Sequence, residues 1–168
     1  MDEIRNKVAE SGLITLDLAD FLPKGSMAVI DIKDYLWQGI ALKEKDFRQA
    51  LKDMDWDAFR DKHVAVYCSE DAIIQSWAYM LIGAHLEGIA KSVYFGPKEK
   101  LEQDLLIQNI SQINPEEYKG ERVIVKGCGD KKISNSAYLK IAFILKPVVK
   151  NLMFGEACSS VPVWKNKL

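Results

Sequence analysis

The sequence predicts a single α/β domain, in which a mainly parallel β-sheet carries helices on both faces. Apolar runs typical of strands alternate with segments whose apolar residues recur at helical spacing, which is the pattern of a parallel α/β sheet. The run HVAVYC at 63–68 is apolar almost throughout, as expected of a central strand covered on both sides. No internal repeat and no long linker is apparent in the 168 residues, so residues 1–168 are predicted to form one domain.

Helix and strand signals follow one another closely in the first half of the chain. Ile4 and Val8 fall on one side of a short predicted helix that Gly12 ends. Phe47 and Leu51 share one side of a second helix, since their spacing fits the helical repeat. The predicted elements are helices at 1–11, 43–51 and 71–86, a turn at 56–59 capped by Asp55, and strands at 13–18, 26–32, 40–42 and 63–68.

Proline residues set several boundaries in the second half. Pro97 suits the first position of a helix, and Pro147 interrupts one because it lacks an amide proton. Pro162 restricts its strand to the edge of a sheet. The predicted elements are strands at 92–96, 121–126 and 160–164, helices at 97–110 and 134–145, and one or two helical turns at 148–154.

Composition and charge exclude several classes of function. Apolar residues make up 48% of the chain, charged residues make up 28%, and the net charge is −1. No basic segment stands out, so a nucleic-acid partner is not expected. No window approaches 18 uninterrupted apolar residues, so no membrane span is expected either. The charged start lacks the apolar core of a signal peptide, so we expect a cytoplasmic protein, and the sequence leaves a homo-oligomer open.

Two of the three cysteines lie at the ends of predicted strands. Cys68 ends the strand HVAVYC, and Cys128 follows the strand RVIVK between two glycines that let the backbone bend. Asp31 ends a third strand. Ligands of open parallel sheets bind beyond the carboxyl ends of the strands, so these placements predict a shared polar site. The alternative is that all three thiols are small buried apolar groups, which is common for free cysteine.

Cys158 lies in the turn GEACSS near the end of the chain. One unbroken helix after the Cys128 strand would leave Cys158 far from Cys128, at about 1.5 Å of rise per residue. A helix broken at Pro147 could instead turn back toward the strand ends. The sequence therefore predicts a reversal at Pro147 that brings Cys158 to Cys68 and Cys128.

Three thiolates in reach of one another are the ligands of zinc or of an iron–sulfur cluster. The predicted site consists of Cys68, Cys128 and Cys158, and Asp71 or Glu156 could supply an auxiliary carboxylate. The chain has no CxxC pair, so each thiol would come from a different loop. His63 begins a strand, at the wrong end for this site, and His85 lies on the apolar side of a helix, so both are interpreted as structural.

Two other classes of function compete with a metal site. The order of VIDI, HVAVYC, a loop and a helix resembles the layout of rhodanese sulfurtransferases, in which a cysteine at a strand end carries a persulfide. That family surrounds its cysteine with glycine and arginine, whereas Glu70 and Asp71 follow Cys68 and would disfavour a thiolate. A non-catalytic interaction domain that uses exposed Trp37, Trp56 or Trp164 is the third hypothesis.

Four stretches together resemble one bacterial family, which is catalogued as domain of unknown function 2480. They are LKEKDFR at 42–48, CSEDAIIQSWAYML at 68–81, VKGCG at 125–129 and LMFGEACSSVPVWK at 152–165. The resemblance covers almost the whole chain, and all five candidate ligands fall within its motifs. One departure is Gln75, where the family usually has proline. The resemblance implies no established activity, but it implies gene neighbourhoods of iron–sulfur cluster assembly, and so sulfur or metal handling with iron–sulfur assembly proteins as partners.

Overall fold

The computed structural model describes residues 12–127 and 133–166 of the chain and confirms the α/β class. The helix predicted at 1–11 lies outside the described residues. The strands are β1 (Leu13–Asp17), β2 (Met27–Asp31), β3 (His63–Tyr67), β4 (Ser92–Phe95), β5 (Arg122–Lys126), β6 (Asn151–Glu156) and β7 (Ser159–Lys165). The α-helices are α1 (Glu44–Asp53), α2 (Ser76–Leu86), α3 (Lys98–Ser111) and α4 (Asn135–Leu145). Short 3-10 helices span Leu18–Phe21, Ile32–Tyr35, Trp56–Phe59 and Pro115–Tyr118.

The described strands form two sheets, where the sequence indicated one. One sheet has the order β1-β5-β6-β7 and the other has the order β2-β3-β4. All pairs are parallel except β6 with β7, which is antiparallel. The prediction of mainly parallel pairing is therefore confirmed, as is the central position of β3, in which His63 to Val66 are all buried.

The chain divides into two compact units. The continuous unit runs from Lys24 to Glu102, and the split unit consists of the chain up to Pro23 and from Gln103 onward. Each unit has its own apolar core, in which helices pack on one face of its sheet, whereas the sequence predicted helices on both faces. In the continuous unit, α1 and α2 lie on the same face of the sheet, since both contribute to one core cluster with β2 and β3. Crossovers of one hand between neighbouring parallel strands in the order β2-β3-β4 place them so. That the chain is one domain stays a prediction.

The two units repeat the same order of elements, so the expectation of no internal repeat was wrong. The elements β3, α2 and β4 begin at His63, Ser76 and Ser92, and β5, α4 and β6 begin 59 residues later in each case. The 3-10 helix Trp56–Phe59 has a counterpart at the same spacing, Pro115–Tyr118. Strands β2 and β1 are likewise each followed directly by a 3-10 helix that an aspartate caps. The split unit is therefore a second copy of the fold, with the continuous unit inserted after its first strand and 3-10 helix.

The cores confirm this repeat position by position. All nine buried core residues of the continuous unit correspond to buried core residues of the split unit. The pairs are Ile30 and Leu16, Ile32 and Leu18, Phe47 and Leu106, Leu51 and Ile110, Val64 and Val123, Val66 and Val125, Ala78 and Ala137, Ile82 and Ile141, and Leu86 and Leu145. The strand registers also correspond, since His63 lies opposite Ser92 and Arg122 lies opposite Asn151.

Three local predictions were wrong. Residues 148–154 were expected to be helical, but β6 begins at Asn151 and pairs with β5, which buries Leu152. Residues 40–42 form only an isolated bridge between Trp37 and Ala41. Helix α2 begins at Ser76 instead of residue 71, because the chain at 69–75 is irregular. Gln75 has φ −71° and ψ 140°, which are angles that proline also adopts, so the family's usual proline would fit there.

None of the helices within the described ranges is both long enough and apolar enough to cross a membrane.

Candidate functional site

Asp31 and the loop that begins with Cys68 meet at the carboxyl edge of the continuous unit's sheet. Strands β2 and β3 are parallel and pair Asp31 with Tyr67, so both end at this edge. One carboxylate oxygen of Asp31 accepts hydrogen bonds from the amides of Ser69 at 3.0 Å and of Lys33 at 3.1 Å. Burial alone would raise the pKa of Asp31, but hydrogen bonds from the Ser69 hydroxyl and these two amides together hold the pKa below its ordinary value. Asp31 therefore serves as a fixed anion that holds the start of the loop.

Cys68 is half-buried and is not in a disulfide. It packs against the core of the continuous unit, beside Tyr79 on α2. Burial raises the pKa of Tyr79, and the nearby Cys68 raises it further. Asp71 is exposed in the same loop. Cys68 is thus placed at a strand end, as predicted, and packs against the apolar core of its unit.

Cys158 lies in the two-residue turn that joins β6 to β7. Glu156 pairs with Ser159 across this hairpin, so Ala157 and Cys158 form its tip. Both Glu156 and Cys158 are exposed. Gly155 permits the turn, since its φ of +119° is strained for residues with a side chain, and a β carbon there would lie 2.6 Å from the carbonyl oxygen of Ser159.

The tip of this hairpin lies at the carboxyl edge of the split unit's sheet, because β6 runs parallel to β5. The chain after Pro147 therefore does return to the edge at which β5 ends, although a strand and not a helix carries it. That this return brings Cys158 to Cys68 and Cys128 stays a prediction. Asp17 ends β1 at the same edge, and its carboxylate lies 3.4 Å from Nζ of Lys126 at the end of β5. Cys128, two residues after Lys126, lies outside the described residues.

The candidate ligands are distributed over both units. Cys68 and Asp71 share one loop of the continuous unit, and Glu156 and Cys158 share one hairpin of the split unit. Within residues 12–127 and 133–166, no three His, Cys, Asp or Glu side chains come together as a group that could hold a metal ion. Cys128 is not among those residues, so the predicted metal site stays a prediction.

The repeat relates the loops that follow β3 and β5, a relationship that the sequence reasoning missed. Strands β3 and β5 begin 59 residues apart, and so do helices α2 and α4, which follow them. The loops that join each strand to its helix therefore have equal length. Ser69 corresponds to Cys128 and Asp71 corresponds to Asp130. Each loop thus carries one thiol within its first two residues after the strand and an aspartate at the corresponding position shortly after it.

Both histidines have structural environments, as expected. His63 is buried, and its Nδ1 lies 2.6 Å from the hydroxyl of Ser92 on the neighbouring strand. Burial, and then the charge of Lys91, lower the pKa of His63, against a hydrogen bond to the backbone of Lys24. The ring of His85 stacks on Trp56 at 4.7 Å.

An apolar groove beside α4 is the second feature that the sequence reasoning missed. It has a volume of about 470 Å³ and lies between α4 and strands β6 and β7. Its wall includes Tyr138 and Phe154, whose rings pack edge to face at 5.4 Å. Tyr79 and Phe95 form the equivalent contact in the continuous unit at 5.3 Å. Of the three tryptophans considered from the sequence, Trp37 and Trp164 are exposed and Trp56 is half-buried.

Comparison with known proteins identifies the family alone. The sequence model of a family described as "Protein of unknown function (DUF2480)" matches residues 2–166, nearly the whole chain. No curated protein sequence and no solved structure matches the chain. The motifs around the three cysteines indicated the same family, and the chain belongs to it.

Proposed function

We propose that this protein binds zinc or an iron–sulfur species through cysteine thiolates, as an accessory of cytoplasmic sulfur or cluster metabolism. The proposed centre lies at the carboxyl edge of the split unit's sheet, with Cys128 and Cys158 as thiolate ligands and Glu156 as a carboxylate ligand. Cys68 and Asp71 are the candidate ligands of the continuous unit. Iron–sulfur assembly proteins are the proposed partners.

The observation that carries the proposal is the position of Cys158. It occupies the exposed tip of a two-residue turn, where a serine would serve the fold equally well. Strand β5, which leads into Cys128, is the direct neighbour of β6, which leads into Cys158. Neighbouring strands of a sheet lie about 4.8 Å apart, so loops at their ends are in reach of one ion.

The repeat adds a second argument. Thiols follow the equivalent strands β3 and β5 in loops of equal length, although the residue types around them differ between the copies. Cys68 packs partly against the core of its unit, whereas the nine paired core positions of the two units are filled by aliphatic and aromatic side chains and by no cysteine. Thiolate and carboxylate ligands together suit zinc, and thiolates alone suit iron–sulfur clusters.

A sulfurtransferase that uses Cys68 has less support. A persulfide anion needs free amides or positive charge around the sulfur. The amide of Ser69, next to Cys68, donates instead to Asp31, and the loop presents the carboxylates of Glu70 and Asp71 to solvent. Under this alternative, Cys68 alone would react rapidly with iodoacetamide near neutral pH and accept sulfane sulfur.

Metal analysis of single-cysteine variants tests the proposal. Protein is purified under anaerobic conditions without affinity metals or chelators, and zinc and iron are measured per chain. We expect close to one equivalent of metal in the wild type and a loss of most of it in Cys128→Ser and Cys158→Ser, because each removes a ligand. Cys68→Ser shows whether the continuous unit contributes a third thiolate.

A matched control lies in the same turn. Ala157→Ser adds a hydroxyl group beside Cys158 without removing a thiol, so it should retain the metal. A wild-type metal content below about a tenth of an equivalent, unchanged by anaerobic handling, would contradict the proposal.

A further inference from the structure

A continuous apolar groove crosses the split unit between α4 and the hairpin of β6 and β7. Its first part, of about 470 Å³, is lined by residues that include Leu139, Phe154 and Val163. Its second part, of about 430 Å³, is lined by residues that include Phe143, Val163 and Trp164. Val163 borders both parts, so they form one elongated groove.

The groove exposes large side chains that would ordinarily be buried. Phe143 is 81% exposed and Leu139 is 73% exposed, and both lie on the same side of α4, one turn apart. Val163 and Trp164 of β7 are exposed as well. With Phe154, these residues expose roughly 570 Å², if a whole side chain contributes about 200 Å². That is at the upper end of the largest apolar patch of a typical monomer, roughly 300–600 Å², and approaches the ~800 Å² that each partner buries in a standard interface.

The repeat shows which parts of this groove are special to the split unit. The equivalent of Phe143 in the continuous unit is Ala84, and the equivalent of Lys146 is Glu87. Strand β7 also has no counterpart, because β4 is the last strand of its sheet in the described chain. The three differences fall on one surface, so they are not explained by the packing that both units share.

One end of the groove is basic. Nζ of Lys146 lies 4.5 Å from the centroid of the Trp164 ring. Lys150 is held beside the end of β7, since its carbonyl accepts a hydrogen bond from the amide of Asn166. No Asp or Glu occurs at 131–155. An apolar surface with lysines at one end complements an apolar segment that carries acidic residues.

We propose that this groove is the docking site of an acidic amphipathic helix of another protein. The partner helix places its apolar side between α4 and β7, and its acidic residues contact Lys146 and Lys150. This is the helix-in-groove mode of peptide recognition, in which apolar anchors recur at i, i+3, i+4 and i+7. The site is separate from the proposed metal ligands, because its basic end lies at the start of β6 and the hairpin tip with Cys158 lies at the other end of that strand.

A second copy of the chain fits the groove less well. A symmetric contact between two such surfaces would match apolar side chains with apolar ones, but it would offer the lysines few acidic partners, since no Asp or Glu occurs at 131–155. A lipid surface also fits less well, because the apolar side chains line a concave groove and do not project as a wedge.

Binding of two model peptides tests the proposal. The probe is a fluorescein-labelled helix of about 18 residues, or roughly five turns, with leucine on one side and glutamate elsewhere. The matched peptide has lysine in place of every glutamate. We expect saturable binding of the acidic peptide to the full-length protein, at least roughly tenfold tighter than that of the basic peptide, and weaker binding as salt rises from about 0.05 to 0.5 M.

Variants locate the binding surface. Phe143→Ala and Lys146→Glu should each weaken binding of the acidic peptide by roughly tenfold, because both side chains are exposed in the groove. Met80→Ala is the matched control, since Met80 is the equally exposed counterpart of Leu139 in the continuous unit, and it should leave binding unchanged. Circular dichroism spectra of the variants should match the wild type, because these changes remove no buried group.

Several results would overturn the proposal. They are equal binding of the acidic and basic peptides, no saturable binding of either, and an equal effect of Met80→Ala. A dimer in sedimentation that Phe143→Ala dissociates would assign the groove to a second copy. Binding to phosphatidylserine vesicles that Phe143→Ala abolishes would assign it to a lipid surface.

Discussion

The carboxylate of Asp31 accepts a hydrogen bond from the backbone amide of Ser69 at 3.0 Å, although the two residues are 38 positions apart in the chain. The same oxygen accepts a hydrogen bond from the amide of Lys33 and so caps the 3-10 helix that follows β2. Asp31 thus joins the end of β2 to the loop that begins with Cys68. The position of this loop depends on the negative charge and the acceptor geometry of a single side chain.

Replacement of Asp31 tests this role. Asp31→Ala should lower the free energy of unfolding by about 1–2 kcal/mol, since it removes a cap and leaves the Ser69 amide without its acceptor. Asp17→Ala is the matched control from the other unit, because Asp17 caps its 3-10 helix in the same way through the amide of Ala19. Urea denaturation should show a larger loss for Asp31→Ala than for Asp17→Ala, and equal losses would contradict the role of Ser69.

Stability at low pH provides a second test of Asp31. Its pKa in the folded protein lies below the ordinary value of 3.8, so the folded protein binds fewer protons than the unfolded chain as the pH falls. The stabilisation is complete above that ordinary value and is lost as the pH falls through the lowered pKa. Asp31→Asn keeps an acceptor but removes the charge, so its difference in stability from the wild type should shrink below pH 3.8. A difference that stays constant down to the acid transition would be inconsistent with this explanation.

His63 makes the free energy of unfolding depend on pH in a range above that of Asp31. Burial and the charge of Lys91 lower its pKa from the ordinary value of 6.5, so the folded state favours the neutral ring. The stabilisation that comes from the neutral His63 ring is therefore complete above pH 6.5, and it is lost as the pH falls from that value through the lowered pKa. NMR titration should give a midpoint for His63 below 6.5, and Lys91→Glu should raise it by removing the positive charge. A midpoint for His63 that Lys91→Glu does not change would rule out this cause.

Gly155 is expected to be essential to the hairpin that carries Cys158. Gly155→Ala should cost about 1–3 kcal/mol, because the backbone is left-handed there and the new methyl group would collide with the Ser159 carbonyl. Gly83→Ala is the control, since Gly83 lies in α2 and an added β carbon would have nothing within 4 Å of it, and this change should stabilise by about 0.5–1 kcal/mol. The two changes should move the midpoint of urea denaturation in opposite directions.

Most helices and strands could be predicted from the sequence, because apolar runs and helical spacing are features of short stretches of chain. The runs HVAVYC and RVIVK are strands, and the helical spacing of Phe47 and Leu51 marks a helix. Residues 148–154 were misassigned because their apolar residues do not alternate, and only pairing with β5 makes them a strand. The start of α2 was misplaced because Ser69 and Asp71 resemble helix caps, whereas the Ser69 amide donates to Asp31 across the sheet.

The repeat could not be recognised from one stretch of sequence. Its copies share apolar character more than identity, as in Phe47 and Leu106 or Ala65 and Ile124. The first strand of the split unit is also separated from the rest of its unit by the whole continuous unit. The positions of Cys68 at a strand end and of Cys158 in a turn could be predicted from local sequence. The groove could not, because it combines α4 with two strands from the end of the chain.

X-ray absorption at the zinc and iron edges, on protein purified without chelators, tests the proposed metal centre most directly. We expect sulfur neighbours at about 2.3 Å from the metal, together with oxygen at about 2.0–2.2 Å if Glu156 is a ligand. The sulfur signal should decrease in Cys158→Ser and persist in Ala157→Ser. A protein that carries no metal, or a metal surrounded by nitrogen and oxygen alone, would contradict the account.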